Sequence, residues 1–150
     1  AVELSAQIEL FRDLVGSDPT HIDSHQHVHR EEPVRAAALA LAAELGAPLR
    51  GMTHGVAYRG DFFGQSGTGD PYAQGITPER LLAILRELPP GVTELGCHPG
   101  RAVPSEVSAY GAERAAELET LCDPRIQDAI RGHDIELISF SDVRDAGPRR

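Results

Sequence analysis

Thr20-His21-Ile22-Asp23-Ser24-His25-Gln26-His27-Val28-His29 packs four histidines into nine residues, and its reading decides the fold. Taken as a β-strand, the segment points Asp23, His25, His27 and His29 to one face, because strand side chains alternate sides. Imidazole titrates near neutral pH and is the commonest protein ligand for transition metals, so that face has metal-binding or proton-transfer chemistry. Geometry limits it. Cα atoms two apart on a strand lie roughly 6.5 Å from each other, so His25 and His27 can share one ion. Asp23 and His29 would lie about 20 Å apart and cannot both join it. Two or three of the four at most bind an ion directly, and the others hydrogen-bond to the ligands and fix their tautomers.

Working outward, residues 2–15 place Leu4, Ile8, Phe11, Leu14 and Val15 at helical spacing, 16–19 end that helix, and 20–26 read as a strand. Pro33 suits the first turn of a second helix that runs to Glu44 and stops at Gly46. A short strand is expected over 49–52. Residues 53–76 are glycine-rich, yet hold Tyr58, Phe62, Phe63 and Tyr72, which points to an active-site loop rather than disorder. Thr77-Pro78 starts a helix and Pro89-Pro90-Gly91 stops it. A strand over 92–97 follows, then helices over 112–121 and from Asp123-Pro124 to Gly132, and a final buried strand over 135–140. Helices alternating with short apolar strands predict a single α/β domain over 1–150 with mostly parallel strands. His25 and His98 then both sit at carboxyl ends of strands, where (β/α) barrels carry their catalytic groups.

Composition narrows the function. The net charge is −9 and all 14 basic residues are arginines that do not cluster, which argues against nucleic acid as a partner. No apolar run approaches the ~18 residues of a membrane span. Cys97 and Cys122 form no CxxC pair and read as free thiols of a reducing cytoplasm. Arg50 and Arg101 are candidate holders of an anionic group. His98, before Pro99-Gly100, is either a turn histidine or a functional one. His21, His54 and His133 carry no assigned role. The start, Ala1-Val2-Glu3-Leu4, has neither a signal peptide nor an initiator methionine and reads as the middle of a longer pattern.

The 20–29 segment resembles the hallmark histidine run of the YdjC-like carbohydrate deacetylases. Glu94-Leu95-Gly96-Cys97-His98-Pro99-Gly100 is similar to that family's Cys-His-Pro-Gly strand end, and 114–121, Asp123-Pro124 and 135–142 resemble its C-terminal pattern. The resemblance implies a divalent-metal (magnesium or zinc) deacetylase on a distorted, incomplete (β/α) barrel, acting on an N-acetylated amino sugar or oligosaccharide. It implies an aspartate and two histidines as metal ligands, with His25 matching the second histidine and Asp23, His27 and His29 in support. His98 matches the histidine cast as general acid to the leaving amine. Leu49-Arg50 and Phe62-Phe63-Gly64-Gln65 fall where members carry similar residues, making Arg50 and Phe63 candidates for substrate contact.

The family's Asp-Asp-Phe-Gly and Gly-x-His-x-x-Leu segments do not occur in residues 1–150. The expectation is therefore the C-terminal portion of such an enzyme, without the first barrel strands and inactive alone. Unpaired sheet edges and apolar helix faces would drive it to self-associate as a homo-oligomer. Two alternatives stand beside this reading. One is a non-catalytic remnant that binds a sugar or metal and needs a partner chain. The other is an amidohydrolase-like metallohydrolase, whose first-strand motif Asp23-x-His25-x-His27 mimics.

Overall fold

Local chemistry places the helices over 2–15, 34–45, 78–86, 111–121 and 124–132 where the sequence predicts them. The computed structural model describes residues 2–104 and 109–145, and its packing separates two units, 1–56 with 138–150 and 57–137. No helix among the described residues is long and apolar enough to cross a membrane.

In the first unit, α1 (Val2–Val15) rests Leu4 on a small core of Ala38, Ala42 and Leu49, with Ile22 and Met52 beside them. Leu10, Leu14 and Val15 on the same helix stay exposed, and none of its residues is buried. Helix α2 (Val34–Leu45) ends as expected. Gly46 takes the left-handed conformation at φ 58°, and the N–H of Ala47 returns to the carbonyl of Ala42 at 3.0 Å, closing off the terminal carbonyls.

The strands expected over 20–26 and 49–52 shrink to one parallel bridge between Ile22 and Leu49. Beyond it the chain curls into a 3₁₀ turn, His25–Arg30, because Gln26 (φ 51°) and His27 (φ 56°) adopt left-handed backbone. This corrects the alternation on which a shared face for Asp23, His25, His27 and His29 depended. The strand expected over 135–140 is also absent. Leu137 is 77% exposed, and Ser139 instead starts α6 (Phe140–Asp145). Its N–H and hydroxyl both donate to the Asp142 carboxylate, at 2.7 and 2.6 Å, a link of the capping-box kind.

The second unit holds a two-stranded parallel sheet, β1 (Val56–Arg59) beside β2 (Val92–Leu95). Strand β1 falls inside the stretch read as irregular loop. The crossover carries α3 (Pro78–Arg86), where Thr77 accepts the N–H of Arg80 at 3.2 Å and Pro78 fills the first turn. Helices α4 (Gly111–Leu121) and α5 (Pro124–Gly132) follow, the second capped by Asp123. Leu81, Ile84 and Leu85 form the inward stripe of α3 and pack with Phe62, Ile76 and Ile126 as the core. The mixed α/β architecture agrees with expectation.

Candidate functional site

In the first unit the two left-handed residues fold the histidine run back on itself. Ligand atoms of Asp23, His27 and His29 all come within 4.8 Å of one another, a grouping with the donor chemistry of a cation site. His25 lies outside this group and is exposed at the head of the turn. A two-residue period would have joined His25 with its neighbours. The reversal at 26–27 joins Asp23 with His27 instead.

The three members are not equivalent. His29 is 1% exposed, and both its ring nitrogens are engaged. Nε2 meets the carbonyl oxygen of Arg50 at 2.9 Å. A carbonyl only accepts, so Nε2 carries the proton, and in the neutral ring Nδ1 is left to accept from the Ser24 hydroxyl at 2.7 Å. The same hydroxyl oxygen accepts the N–H of His29 at 3.1 Å. His29 is thus a brace between the turn and the 49–50 segment. It could ligate an ion only by giving up one of these bonds, so within the trio His29 acts as support.

Asp23 accepts from Ser24 N–H at 2.7 Å through one oxygen and from Arg50 at 2.6 Å through the other. Arg50 therefore serves the site twice, with its carbonyl on His29 and its guanidinium on Asp23. Burial lowers the pKa of His27, helped by the charges of Arg30 and Arg50 and opposed by Asp23. The neutral imidazole, the form that binds metals, is favoured there.

In the second unit His98 follows β2, with its side chain exposed and its ring meeting Tyr110 edge-on at 5.9 Å. Its main chain is held from beneath by Glu117 of α4, which is fully buried. One Glu117 oxygen accepts the N–H of His98 in a short bond, and the other accepts the Tyr110 hydroxyl at 2.5 Å. That hydroxyl in turn accepts the N–H of Gly64 at 2.6 Å. Burial and the Glu117 carboxylate push the Tyr110 phenol well above its ordinary range, so it stays a donor. Phe63, 40% exposed, stacks on Tyr110 with ring centroids 4.9 Å apart. Gly64 is required beside them, since a Cβ there would come within 2.9 Å of the Tyr110 oxygen.

Sequence reasoning singled out His98 and Phe63 separately and missed Tyr110 and Glu117, which join them. Glu117 gives a faint signal. It stands three residues before Thr120 on α4, and these two polar residues are buried while Leu118 between them faces outward. The candidate Arg101 is exposed.

Comparison with known proteins gives a consistent set of relatives. A family model described as YdjC-like protein matches residues 1–132. A carbohydrate deacetylase of Geobacillus stearothermophilus is 33% identical over 145 residues, covering 92% of this chain and 57% of that protein. A chitooligosaccharide deacetylase of Klebsiella pneumoniae (strain 342) is 30% identical, covering 95% and 60%. The chain thus spans a little under two thirds of the length of these curated relatives. A crystal structure from Enterococcus faecalis V583, named for cellobiose-phosphate cleavage, superposes with a TM-score of 0.73 at 26% identity. That superposition covers 93% of this chain and 58% of the other.

Proposed function

We propose, on the premise that this chain belongs to the YdjC-like protein family, that it carries part of a centre hydrolysing the N-acetyl group of an amino sugar or its oligosaccharides. The observation that carries this reading is the exposed imidazole of His25 at the head of a left-handed turn, in a chain whose relatives are carbohydrate deacetylases. Paired left-handed residues at such a spot are costly and are kept where the surroundings over-determine them, as at ligand sites.

The donor set fits a divalent cation, magnesium or zinc, because carboxylate suits the first and imidazole the second. His25 is the family-implied ligand supplied by this chain, Asp23 and His27 stand beside it in sequence, and His29 braces the turn. A divalent cation held there would supply Lewis acidity toward an amide carbonyl. Arg50 orients Asp23 through their ion pair. His98 is the general acid, giving its proton to the amine nitrogen so that a neutral amine departs rather than an amide anion. The exposed ring of Phe63 offers an apolar platform to a sugar face.

On this reading the fold is a distorted, incomplete (β/α) barrel with mostly parallel strands. The family's Asp-Asp-Phe-Gly and Gly-x-His-x-x-Leu segments do not occur in these 150 residues, so we expect no turnover from them alone. Exposed Leu10, Leu14 and Val15 on α1 support self-association, in a cytoplasmic protein. A second reading, a metal-binding remnant without catalysis, is favoured by one fact: Asp23, His27 and His29 converge within one unit.

The test is a chimera in which this chain replaces the matching segment of the Geobacillus stearothermophilus deacetylase, assayed for free amine released from N-acetylglucosamine oligomers. We expect metal-dependent release, and His98→Ala should lower it by about 10²–10⁴-fold, the span of general acid catalysis. An unchanged rate would remove His98 from the mechanism. Calorimetric zinc titration of the isolated chain separates the two ligand assignments. Loss of binding in His25→Ala supports the family-implied ligand, and loss in His27→Ala alone supports the remnant.

A further inference from the structure

We infer that Glu117, held in place by Tyr110, is the positioning residue for His98: a buried carboxylate that sets where the imidazole stands by gripping its main chain. The inference rests on the assignment of His98 as proton donor and adds the device that aims it. Glu117 lies on α4, nineteen positions from His98, and is buried completely. A buried carboxylate is costly unless its oxygens are met by donors. Here each oxygen meets one, the N–H of His98 and the hydroxyl of Tyr110.

The arrangement is directional. Tyr110 spends its hydroxyl hydrogen on Glu117 and its oxygen lone pair on the N–H of Gly64. One chain of bonds therefore ties the backbone of the glycine-rich loop to the backbone after β2. The rings follow the same line, with Phe63 stacked on one side of Tyr110's ring system and His98 meeting it edge-on. A proton donor on a residue beside proline and glycine needs such an anchor, because its own turn offers no rigid element to hold it. Fixing the amide rather than the ring leaves the imidazole exposed for proton transfer.

Glutamine keeps the shape of this side chain but not its charge. With its oxygen on the N–H of His98 its amide N–H faces the Tyr110 oxygen, so the Tyr110 O–H loses its acceptor and the bond to His98 loses its charged one. A bond to a charged acceptor is among the stronger ones, and losing it raises local opening by about tenfold or more.

Hydrogen exchange by NMR on the 150-residue chain reads this directly. In Glu117→Gln, we expect the His98 amide to exchange at least about tenfold faster, while amides of α3 stay within about twofold. The proton contact between the His98 and Tyr110 rings should weaken in the same sample. Tyr110→Phe, which keeps the stacked ring, should speed exchange at Gly64 and at His98. If Glu117→Gln loosens every amide alike, Tyr110→Phe decides the matter by the same local readout. Unchanged His98 exchange and ring contact in Tyr110→Phe, or in a folded Glu117→Gln, overturn the inference. In the active chimera, Glu117→Gln should lower kcat with KM little changed, and a change in KM alone would overturn the positioning role. A His98→Ala chimera of full activity would instead sink the proton-donor assignment, and the exchange result would stand apart from it.

Discussion

Replacing Gln26 by glycine tests the turn on which the first site depends. Gln26 and His27 hold φ of 51° and 56° in succession, and neither is glycine. Left-handed backbone costs an L-residue with a Cβ roughly 1–2 kcal/mol. Glycine escapes that cost but brings extra freedom to the unfolded chain, worth about 0.5–1 kcal/mol against folding. Gln26 is exposed, so its side chain adds little to the balance. Gln26→Gly should therefore be neutral to stabilising, by about 0–1.5 kcal/mol, the difference of those terms. Gln26→Val should destabilise by about 1 kcal/mol or more, since β-branching is worst tolerated at positive φ. Were the segment a strand, both signs would reverse, because valine favours strands and glycine weakens them. The assay is urea unfolding followed by circular dichroism, the chain having no tryptophan to report by fluorescence. A loss of 1 kcal/mol or more in the glycine variant, with the valine variant neutral or better, would refute the left-handed turn.

Three further outcomes can be checked by the same melts. Ser24→Ala removes the hydroxyl that serves both the N–H and Nδ1 of buried His29, and should cost about 1–3 kcal/mol; a cost below about 0.5 kcal/mol would show that His29 is no brace. Gly75→Ala would bring a Cβ to 2.2 Å from the Phe63 carbonyl oxygen, so the backbone must move, and a loss of about 1–3 kcal/mol is expected; a neutral result would contradict that close approach. Asp61 has its pKa lowered, chiefly by the forked hydrogen bonds from Arg59 and against the cost of burial, so its stabilisation is present above the ordinary aspartate value of about 3.9 and fades as pH falls below it. The stability gap between wild type and Asp61→Asn should accordingly be flat from pH 5 to 8 and close below about pH 4; a gap that persists at pH 2 would count against the ion pair as its source.

What could be read from the sequence was written in local chemistry. Gly46, Thr77-Pro78 and Asp123-Pro124 mark helix ends by satisfying or omitting specific backbone groups, and the structure uses each of them so. Strands depend on distant partners and were harder to place. Val56–Arg59 pairs with Val92–Leu95 across a long crossover, and its glycine-rich surroundings hid it. The apolar run at 135–140 looked like a strand until Ser139 and Asp142 turned its end into a helix start. The histidine run misled for a different reason. Nothing in Gln26 or His27 announces positive φ, which is imposed by the bonds that Ser24, His29 and Arg50 make around them.

Hydrogen bonding sorts histidines that composition alone treats as equal. A histidine that moves a proton or binds a metal needs an uncommitted ring nitrogen, and a histidine that supports a site commits both. His29 commits both, to Ser24 and to the Arg50 carbonyl, and is buried. His98 is fixed through its amide by Glu117 and keeps its ring at the surface. His25 stands exposed at the head of a turn whose shape His29 maintains. The proposed reactive roles fall on the two residues whose positions are set by something other than their own rings. The same logic predicts where substitution is silent: a variant of His29 should act on metal binding only through the stability of the turn, whereas variants of His25 or His98 should leave the fold intact and change the chemistry.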